Sequence, residues 1–372
     1  MIADRSVVEH IYIHVPFCVK KCGYCSFYST TYSEDEADKY VSNLKQEINL
    51  YRKEYQLKPK TIYFGGGTPS LLNPGAIKSI IRRVGFQEET EITLEANPFS
   101  ITEDYAIKLS KAGVNRVSMG VQSMQQKELE LLGRLHSVQQ VKDAIYYLRK
   151  AGIGNISLDL IYGLPDQKLE DLEYSLNELI ALMPQHISTY CLSLEEDVPL
   201  YGLKSRIPDD EVVADFYEFI RNRLLRAGFE QYEISNFARI GKESKHNRSY
   251  WEDRAYLGLG PAAAGYLDSK RYNNPSSLEA YTQQIANETI LPNFEELSAA
   301  EHESEYIFLQ LRKCEGINVE NFIHTFMHDF VDKYVDKIEK YTKLGLMKVE
   351  NGHCFLTPKA YFISNQIMSD FV

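Results

Sequence analysis

The feature that most constrains the fold is an alternation of short apolar segments and longer amphipathic segments over the first two-thirds of the chain. The apolar segments predict six strands, at residues 11–15, 61–64, 91–96, 116–122, 155–161 and 186–194. One of the intervening helical patterns, SVQQVKDAIYYLRKAG, ends at a glycine, as many helices do. Alternation at this spacing predicts parallel strands joined by right-handed crossovers. We therefore predict an α/β fold, a partial (β/α)6 TIM-like barrel, with a flat doubly wound sheet as the alternative.

The last third of the chain changes character twice. A stretch rich in aromatic residues and glycine comes first, and a mainly helical pattern begins near residue 296. The segment LMKVENGHCFLTPKA then predicts a hairpin that turns at Asn351 and Gly352. We predict a barrel over residues 1–230, a connecting region that covers the barrel over 231–295, and a winged-helix-like C-terminal appendage over 296–372.

Charge and hydropathy argue against several classes of protein. The chain carries 41 basic and 52 acidic residues, a net charge of −11, whereas nucleic-acid binders usually present a basic face. The N-terminus lacks the basic and apolar regions of a secretory signal, and no apolar run reaches the ~18 residues of a membrane span. We therefore expect a cytoplasmic protein with no nucleic-acid partner. The oligomeric state is not constrained by the sequence.

Three of the six cysteines are crowded into the C-x3-C-x2-C segment Cys18, Cys22 and Cys25, directly after the first predicted strand. In a reducing compartment such crowding indicates metal ligands, not disulfides. The three scattered cysteines, Cys191, Cys314 and Cys354, are expected to be small buried apolar residues. Four thiolates close a [4Fe–4S] cluster, so three would leave one iron with an open position for chemistry. The alternatives are a zinc site completed by His14 or another residue, and three unrelated thiols.

Polar residues follow the ends of the next predicted strands. Strand two ends in FGGGTPS, where glycines let the backbone approach a ligand closely. Glu95, Gln122 and Asp159 stand at the ends of strands three to five, and Arg134 follows strand four. The carboxyl ends of barrel strands carry functional groups, so these residues should surround the cysteines. Together they suit a zwitterionic ligand that bears a ribose.

This constellation resembles the radical S-adenosylmethionine (SAM) enzymes, whose hallmark is the C-x3-C-x2-C loop. Further stretches, among them YFGGGTPS, GVQS, YEISNFA and HNRSYW, resemble the branch related to oxygen-independent coproporphyrinogen III oxidase, and within it the haem chaperones. The oxidases carry another cysteine two places beyond the third ligand, where this chain has Phe27, and a longer N-terminal region. Both differences favour the haem chaperones.

The resemblance implies that Cys18, Cys22 and Cys25 hold a [4Fe–4S] cluster whose reduced form cleaves SAM to a 5′-deoxyadenosyl radical. It also implies a set of SAM contacts: Tyr12, Gly66, Gly67, Thr68, Glu95, Gln122, Arg134 and Asp159. For a chaperone the cargo would be haem, delivered to apoproteins such as respiratory cytochromes, some of them at the membrane. For an oxidase, the same site would carry out two radical decarboxylations of propionate side chains. Another radical SAM enzyme acting on a tetrapyrrole is a further alternative.

The segment KHNRSYWEDRAYLGLGPAAAGY contains His246, which could bind the iron of haem. Four aromatic residues could pack on the macrocycle: Tyr250, Trp251, Tyr256 and Tyr266. Alternatively, these aromatic residues only cover the barrel and His246 only forms hydrogen bonds. His136 is a weaker candidate for the ligand.

Overall fold

The computed structural model describes residues 5–371. Its strands, in chain order, are β1 Val7–Val15, β2 Phe17–Cys18, β3 Thr30–Thr31, β4 Gln56–Gly66, β5 Glu91–Ala96, β6 Arg116–Gln122, β7 Asn155–Tyr162, β8 His186–Cys191, β9 Glu230–Gln231, β10 Asn236–Ala238, β11 Leu257–Leu259, β12 Ala264–Leu267, β13 Lys270–Asn273, β14 Glu295–Glu296, β15 Ile317–Asn318, β16 Met347–Glu350 and β17 His353–Leu356.

The α-helices, in the same order, are α1 Glu34–Glu54, α2 Pro74–Val84, α3 Glu103–Ala112, α4 Gln126–Leu131, α5 Val138–Lys150, α6 Leu169–Ala181, α7 Asp210–Arg226, α8 Lys245–Trp251, α9 Leu278–Ala286, α10 Ala299–Arg312, α11 Val319–Phe326, α12 Phe330–Lys333, α13 Val335–Lys343 and α14 Ser364–Ser369. Short 3-10 helices lie at Pro69–Leu71, Pro98–Ser100, Pro199–Arg206 and Pro358–Ala360.

The main sheet has nine strands in the order β11-β1-β4-β5-β6-β7-β8-β10-β9. Strands β1, β4, β5, β6, β7 and β8 are parallel neighbours in the order of the sequence, and they contain the six predicted strands or most of each. A doubly wound sheet would reverse its strand order at a switch point, whereas this order runs one way as it does around a barrel. The predicted α/β partial barrel is therefore confirmed.

The two edges of the sheet are formed by the part of the chain beyond residue 229. Strand β11 pairs in parallel with β1, and β10 pairs antiparallel with β8 and with β9. The sheet order ends at β11 and at β9, so within residues 5–371 the barrel is partial. The domain boundaries predicted at residues 230 and 295 stay predictions.

The crossover helices cover the outer face of the sheet because their apolar residues recur at helical spacing. Helix α1 buries Tyr40, Leu44, Ile48 and Tyr51, which follow each other at intervals of three or four residues. Its first turn is capped by Ser33, whose hydroxyl accepts a hydrogen bond from the Glu36 backbone N–H. The helices thus close one continuous apolar core against the sheet.

The C-terminal region combines helices α10 to α14 with a small antiparallel sheet of order β15-β17-β16. Strands β16 and β17 form the predicted hairpin, and Asn351 and Gly352 between them have positive φ values of 53° and 75°. Two successive residues of this kind give a tight turn that matches the twist of the strands. Between residues 5 and 371, no helix has the length and apolar character needed to cross a membrane.

Candidate functional site

A cavity of about 480 Å³ opens at the carboxyl ends of the parallel strands. It brings together most of the residues that the sequence analysis selected for the cluster and for SAM: Cys18, Cys22, Cys25, Gly66, Gly67, Thr68, Glu95, Gln122, Arg134 and Asp159. These residues come from five strands and the loops that follow them, and a common edge of the sheet places them together.

The cysteine loop leaves β1 and is held by the short parallel ladder of β2 with β3. The Gly23 backbone N–H donates to the Leu132 carbonyl (3.2 Å), and the Gly23 carbonyl accepts from the Leu200 N–H (2.9 Å). These bonds fix the loop from both sides, so the three thiols keep a defined place at the cavity wall.

Two side chains of the cavity contact the thiols directly. The Arg134 guanidinium donates from Nη1 to the Cys22 Sγ (3.4 Å), and the Thr68 hydroxyl lies 3.6 Å from the Cys18 Sγ. These contacts hold the sulfurs of Cys18 and Cys22 in place at the cavity wall, where they could ligate iron.

The glycine segment passes so close to the cysteine loop that side chains do not fit. A Cβ on Gly67 would lie 2.7 Å from the Phe17 carbonyl oxygen and 3.1 Å from the Cys18 Sγ. Gly66 has a φ of 109°, which an L side chain rarely adopts, and a Cβ there would lie 2.7 Å from the His14 ring. This fit explains why glycine stands at both positions.

Two carboxyl groups line the inner part of the cavity. Glu95 accepts from the Tyr63 hydroxyl (2.8 Å) and from the Gly66 backbone N–H (3.2 Å). Burial, which outweighs these bonds, raises the pKa of Glu95 to about 7. Asp159 accepts from the Ser118 hydroxyl (3.4 Å), and burial raises the pKa of Asp159 to about 6. Near neutral pH both groups can still accept hydrogen bonds from a ligand.

The arginine and the glutamine leave polar atoms unsatisfied. Arg134 donates from Nη2 to the Gly120 carbonyl (2.6 Å) and to the Asn97 side chain, but its Nε has no partner among the described residues. The buried Oε1 of Gln122 also lacks a partner in that part of the chain. Gln122 has a φ of 70°, so the strand bulges where this side chain is presented. Orphaned buried polar atoms on a cavity wall indicate a ligand that pairs with them.

Tyr12 does not line this cavity, although the sequence analysis placed it among the SAM contacts. Its hydroxyl lies 3.1 Å from the His14 Nδ1, and its ring stacks with the rings of Tyr63 and His246 at centroid distances of 6.2 and 6.4 Å. The side chain therefore packs inside the barrel below the glycine segment.

His246 lies at the opposite end of the barrel, where α8 packs against the amino ends of the strands. Its Nδ1 lies 2.7 Å from the Thr61 hydroxyl, its Nε2 lies 2.8 Å from the Tyr250 hydroxyl, and its backbone N–H donates to Glu91 (3.3 Å). The side chain is only 1% exposed, and burial lowers the pKa of His246 well below its usual range. An iron ligand needs a free ring nitrogen that faces open space. This placement does not fit the predicted role of haem ligand.

The two other histidines that were predicted as possible ligands, His136 and His14, also have hydrogen-bond partners. His136 is buried, and its Nε2 lies 3.1 Å from the Val121 carbonyl oxygen. His14, the possible fourth ligand of a zinc site, is shared between Tyr12 and the Tyr28 carbonyl oxygen. Within residues 5–371, no three His, Cys, Asp or Glu side chains are arranged to hold a single metal ion. A cubane is held differently from a single ion, because each thiolate binds a different iron.

Several residues that line the cavity were not predicted from the sequence as site residues: Lys20, Lys21, Tyr24, Asn97, Ser118, Tyr190 and Cys191. Asn97 follows Glu95 in LEANP and Ser118 precedes Gln122 on β6, so the strand-end rule would have found both. Cys191 was expected to be a buried apolar residue, and that expectation was wrong because its side chain is exposed at the end of β8.

Comparison with known proteins agrees with this geometry. The model of the radical SAM superfamily matches residues 12–179, and the model of the HemN C-terminal domain matches residues 297–363. The protein named heme chaperone HemW from Bacillus subtilis is 33% identical over 98% of this chain and 99% of its own length. The one from Lactococcus lactis is 34% identical over 97% and 96%. The structure of the Escherichia coli coproporphyrinogen III oxidase HemN superposes with a TM-score of 0.85 over 99% of this chain and 90% of its own, at 23% identity.

The fold and the three-cysteine cavity define a protein of the radical SAM superfamily, which implies a [4Fe–4S] cluster and SAM as cofactors. Within that superfamily the chain belongs to the HemW family. The oxidase structure, at 23% identity, supports the fold alone.

Proposed function

We propose that this chain is a haem chaperone that binds haem together with a SAM-bound [4Fe–4S] cluster and delivers the haem to apoproteins. Its relatives over almost the whole chain are named heme chaperones. The observation that carries the choice against the oxidase is Phe27. It stands where the oxidases are expected to have a further cysteine, and it is 68% exposed at the cavity wall.

Cys18, Cys22 and Cys25 would hold the cluster, because they are the cavity's thiols on one fixed loop. When bound, the cluster supplies a low-potential electron to the sulfonium of SAM. The chain's own residues bind and orient the ligand. The glycine segment offers backbone at close range, and Arg134 carries the positive charge that suits a carboxylate.

The acidic residues suit the ribose of SAM. Hydroxyl groups donate well to carboxylates, and Glu95 and Asp159 are the carboxylates that line the inner cavity. Gln122 adds an acceptor that has no partner among the described residues. Gly66, Gly67 and Thr68 complete the proposed contact set, and Tyr12 would act through packing behind it.

An exposed aromatic ring beside a cavity suits an apolar macrocycle such as haem. Phe27 lies on the same loop as the basic residues Lys20 and Lys21, which could meet the propionates of the haem. Ligation by His246 would require that its bonds to Thr61 and Tyr250 break first. The proposed recipients are respiratory cytochromes and similar apoproteins, and the proposed compartment is the cytoplasm.

One observation favours a second function, an oxidase or another radical enzyme acting on a tetrapyrrole. A carrier has no evident need for a complete set of SAM contacts. In this chain the acidic residues, the arginine and the glycine segment of the proposed set line the same cavity as the cysteines. For an oxidase the same cavity would also have to admit a porphyrinogen.

An anaerobic assay separates the two functions. The cluster is reconstituted, and reductant, SAM and coproporphyrinogen III are added while protoporphyrinogen formation is followed. We expect no turnover above that of the Cys18→Ala variant, together with a haem complex in the same preparation. Turnover well above that control would make the protein an oxidase, and failure to bind haem in any cofactor state would overturn the chaperone proposal.

A further inference from the structure

A second concave site lies on the outer face of the barrel, in a groove between α1 and α2. Its cavity has a volume of about 420 Å³. The residues that line it are Arg52, Gly75, Lys78, Ser79, Arg82 and Arg83. Four of these six are cations and none is acidic, although the whole chain has a net charge of −11. We name this site the basic groove.

The cations of the basic groove have no acidic partners in the part of the chain that the structure describes. No ion pair there involves Arg52, Lys78, Arg82 or Arg83. Lys78 and Arg82 are four residues apart on one helix, a spacing at which like charges repel each other. An anion in the groove would relieve this repulsion.

Helix dipoles account for only part of the arrangement. Arg52, Arg82 and Arg83 lie in the last turns of their helices, where cations are favourable. Arg52 indeed donates to the Arg83 carbonyl (2.6 Å), which ties the two helix ends together. Lys78 lies earlier on α2, however, and it stands in the same groove with its charge unpaired.

Two of the guanidinium groups are held in place by neutral partners. The guanidinium of Arg52 is held by its bond to the Arg83 carbonyl. The guanidinium of Arg83 is held by a bond from its Nη1 to the Asn49 side chain (3.1 Å). Arginines fixed in this way keep further N–H groups in a planar fork that matches the oxygens of a phosphate. The side chains of Lys78 and Arg82 add two positive charges. Neither side chain donates a hydrogen bond to an acceptor among residues 5–371.

We propose that the basic groove binds a multiply charged phosphate group, carried by a soluble phosphoester or by the headgroup of an anionic lipid. The groove is built from α1 and α2 and shares no lining residue with the cluster cavity. Binding there is therefore independent of the proposed function, and it would attach the chaperone to a phosphate-bearing ligand while the cavity stays accessible.

The test compares the full-length protein with the K78E/R82E variant. Inorganic pyrophosphate is titrated calorimetrically, and cosedimentation is measured with vesicles of phosphatidylcholine alone and of phosphatidylcholine mixed with phosphatidic acid, whose phosphomonoester headgroup can carry two negative charges. Reversal of two charges should weaken binding by about tenfold or more. The matched control is K39E/K111E, which changes the net charge equally at two exposed lysines outside the groove.

Each outcome decides the proposal. Pyrophosphate binding that K78E/R82E loses and K39E/K111E keeps supports a soluble phosphoester. Cosedimentation with the anionic vesicles alone, with the same pattern of loss, supports a lipid headgroup. The proposal is overturned if neither probe binds the unaltered protein, or if K78E/R82E weakens binding no more than K39E/K111E does. The neutral K78Q/R82Q variant, with its thermal unfolding, checks that the loss comes from charge and not from misfolding.

Discussion

The two ends of the barrel are both rich in polar side chains, but they differ in what surrounds those side chains. At the carboxyl ends of the strands, Gln122 and Arg134 keep buried polar atoms without partners in the described chain, around an open cavity. At the amino ends, both ring nitrogens of His246 are paired and α8 packs over them. Unpaired polar atoms around an open cavity indicate a ligand, whereas a paired histidine packed under a helix stabilises the fold.

A thin layer of aromatic residues separates these two ends. Tyr63 donates to Glu95 on the cavity side, and its ring stacks on His246 on the other side with a centroid distance of 5.0 Å. The two ends are thus separated by a layer only a few ångströms thick. It predicts that substitutions on the cavity side change cofactor binding, and that substitutions on the helix side change stability.

The largest effect is expected from Cys22→Ala. Two remaining thiolates of the loop should not retain a cubane, so iron and acid-labile sulfide should fall to background after anaerobic reconstitution. Cys191→Ser is the matched control, because Cys191 lines the same cavity but lies outside the loop. A Cys22→Ala protein that still holds four irons with an unchanged spectrum would remove the cluster assignment.

Next in size is the effect of His246→Ala on stability. The substitution leaves the Thr61 and Tyr250 hydroxyls without their partner in a buried site, so the free energy of unfolding should fall by about 3 kcal/mol. Tyr250→Phe, which removes one of these bonds, should cost about 1 kcal/mol. Urea unfolding measures both values.

The same two variants also test whether the amino end of the barrel serves stability and not haem binding. We expect the haem absorption spectrum to be the same in both variants and in the unaltered protein. A shifted spectrum in His246→Ala alone would establish that histidine as the iron ligand, and the amino end would then be a binding site as well.

Glu95→Gln tests the cavity side. Loss of the carboxylate should weaken SAM binding by about tenfold to a hundredfold, the range for a hydrogen bond to a charged group. Tyr63 can turn its hydroxyl to accept from the new amide, so the fold should persist. Calorimetry on the reconstituted protein gives the affinity, and an unchanged value would exclude Glu95 as a ligand contact.

The pH dependence of stability gives a second readout for the same variant. The pKa of Glu95 is raised from 4.5 to about 7, so the folded protein binds a proton more tightly than the unfolded chain does. Stability should therefore fall as pH rises from about 4.5 to about 7, by up to about 3 kcal/mol for this group. Glu47, which is fully buried and has its pKa raised to about 7, should add a similar slope. Glu95→Gln should remove its own share, and a slope equal to that of the unaltered protein would contradict this.

The smallest effect on stability is expected from Phe27→Ser. The side chain is 68% exposed, so the free energy of unfolding should change by less than about 0.5 kcal/mol. Haem binding should nevertheless weaken, because Phe27 would pack on the macrocycle. The control is Phe294→Ser at a side chain that is 52% exposed. Equal haem affinity in both variants would argue against haem at the cavity mouth.

Local patterns predicted much of this architecture. The six parallel strands and the hairpin at Asn351 and Gly352 follow from apolar periodicity and turn chemistry, which act over a few residues. The cavity could also be predicted in outline, because parallel strands present their carboxyl ends at one edge. Glu95, Gln122 and Asp159 were found by that rule alone.

Contacts between distant segments could not be predicted in the same way. His246 meets Thr61 across 185 positions of the chain, and only the packing of α8 under the barrel brings them together. Tyr12 stands on a strand that leads to the cavity, but its ring packs below the glycine segment. Cys191 reaches the cavity through the register of β8 beside β7, which its apolar surroundings in the sequence did not indicate.

The sequence by itself thus determined the order of strands and helices, the cysteine loop and the edge of the sheet where chemistry is placed. These features depend on residue types at short, regular spacing, where steric and hydrophobic preferences act locally. Only the tertiary structure decided which polar groups are satisfied and which are left for a ligand. That outcome depends on long-range register and helix packing, as the paired His246, the unpaired Gln122 and the cations gathered in the basic groove show.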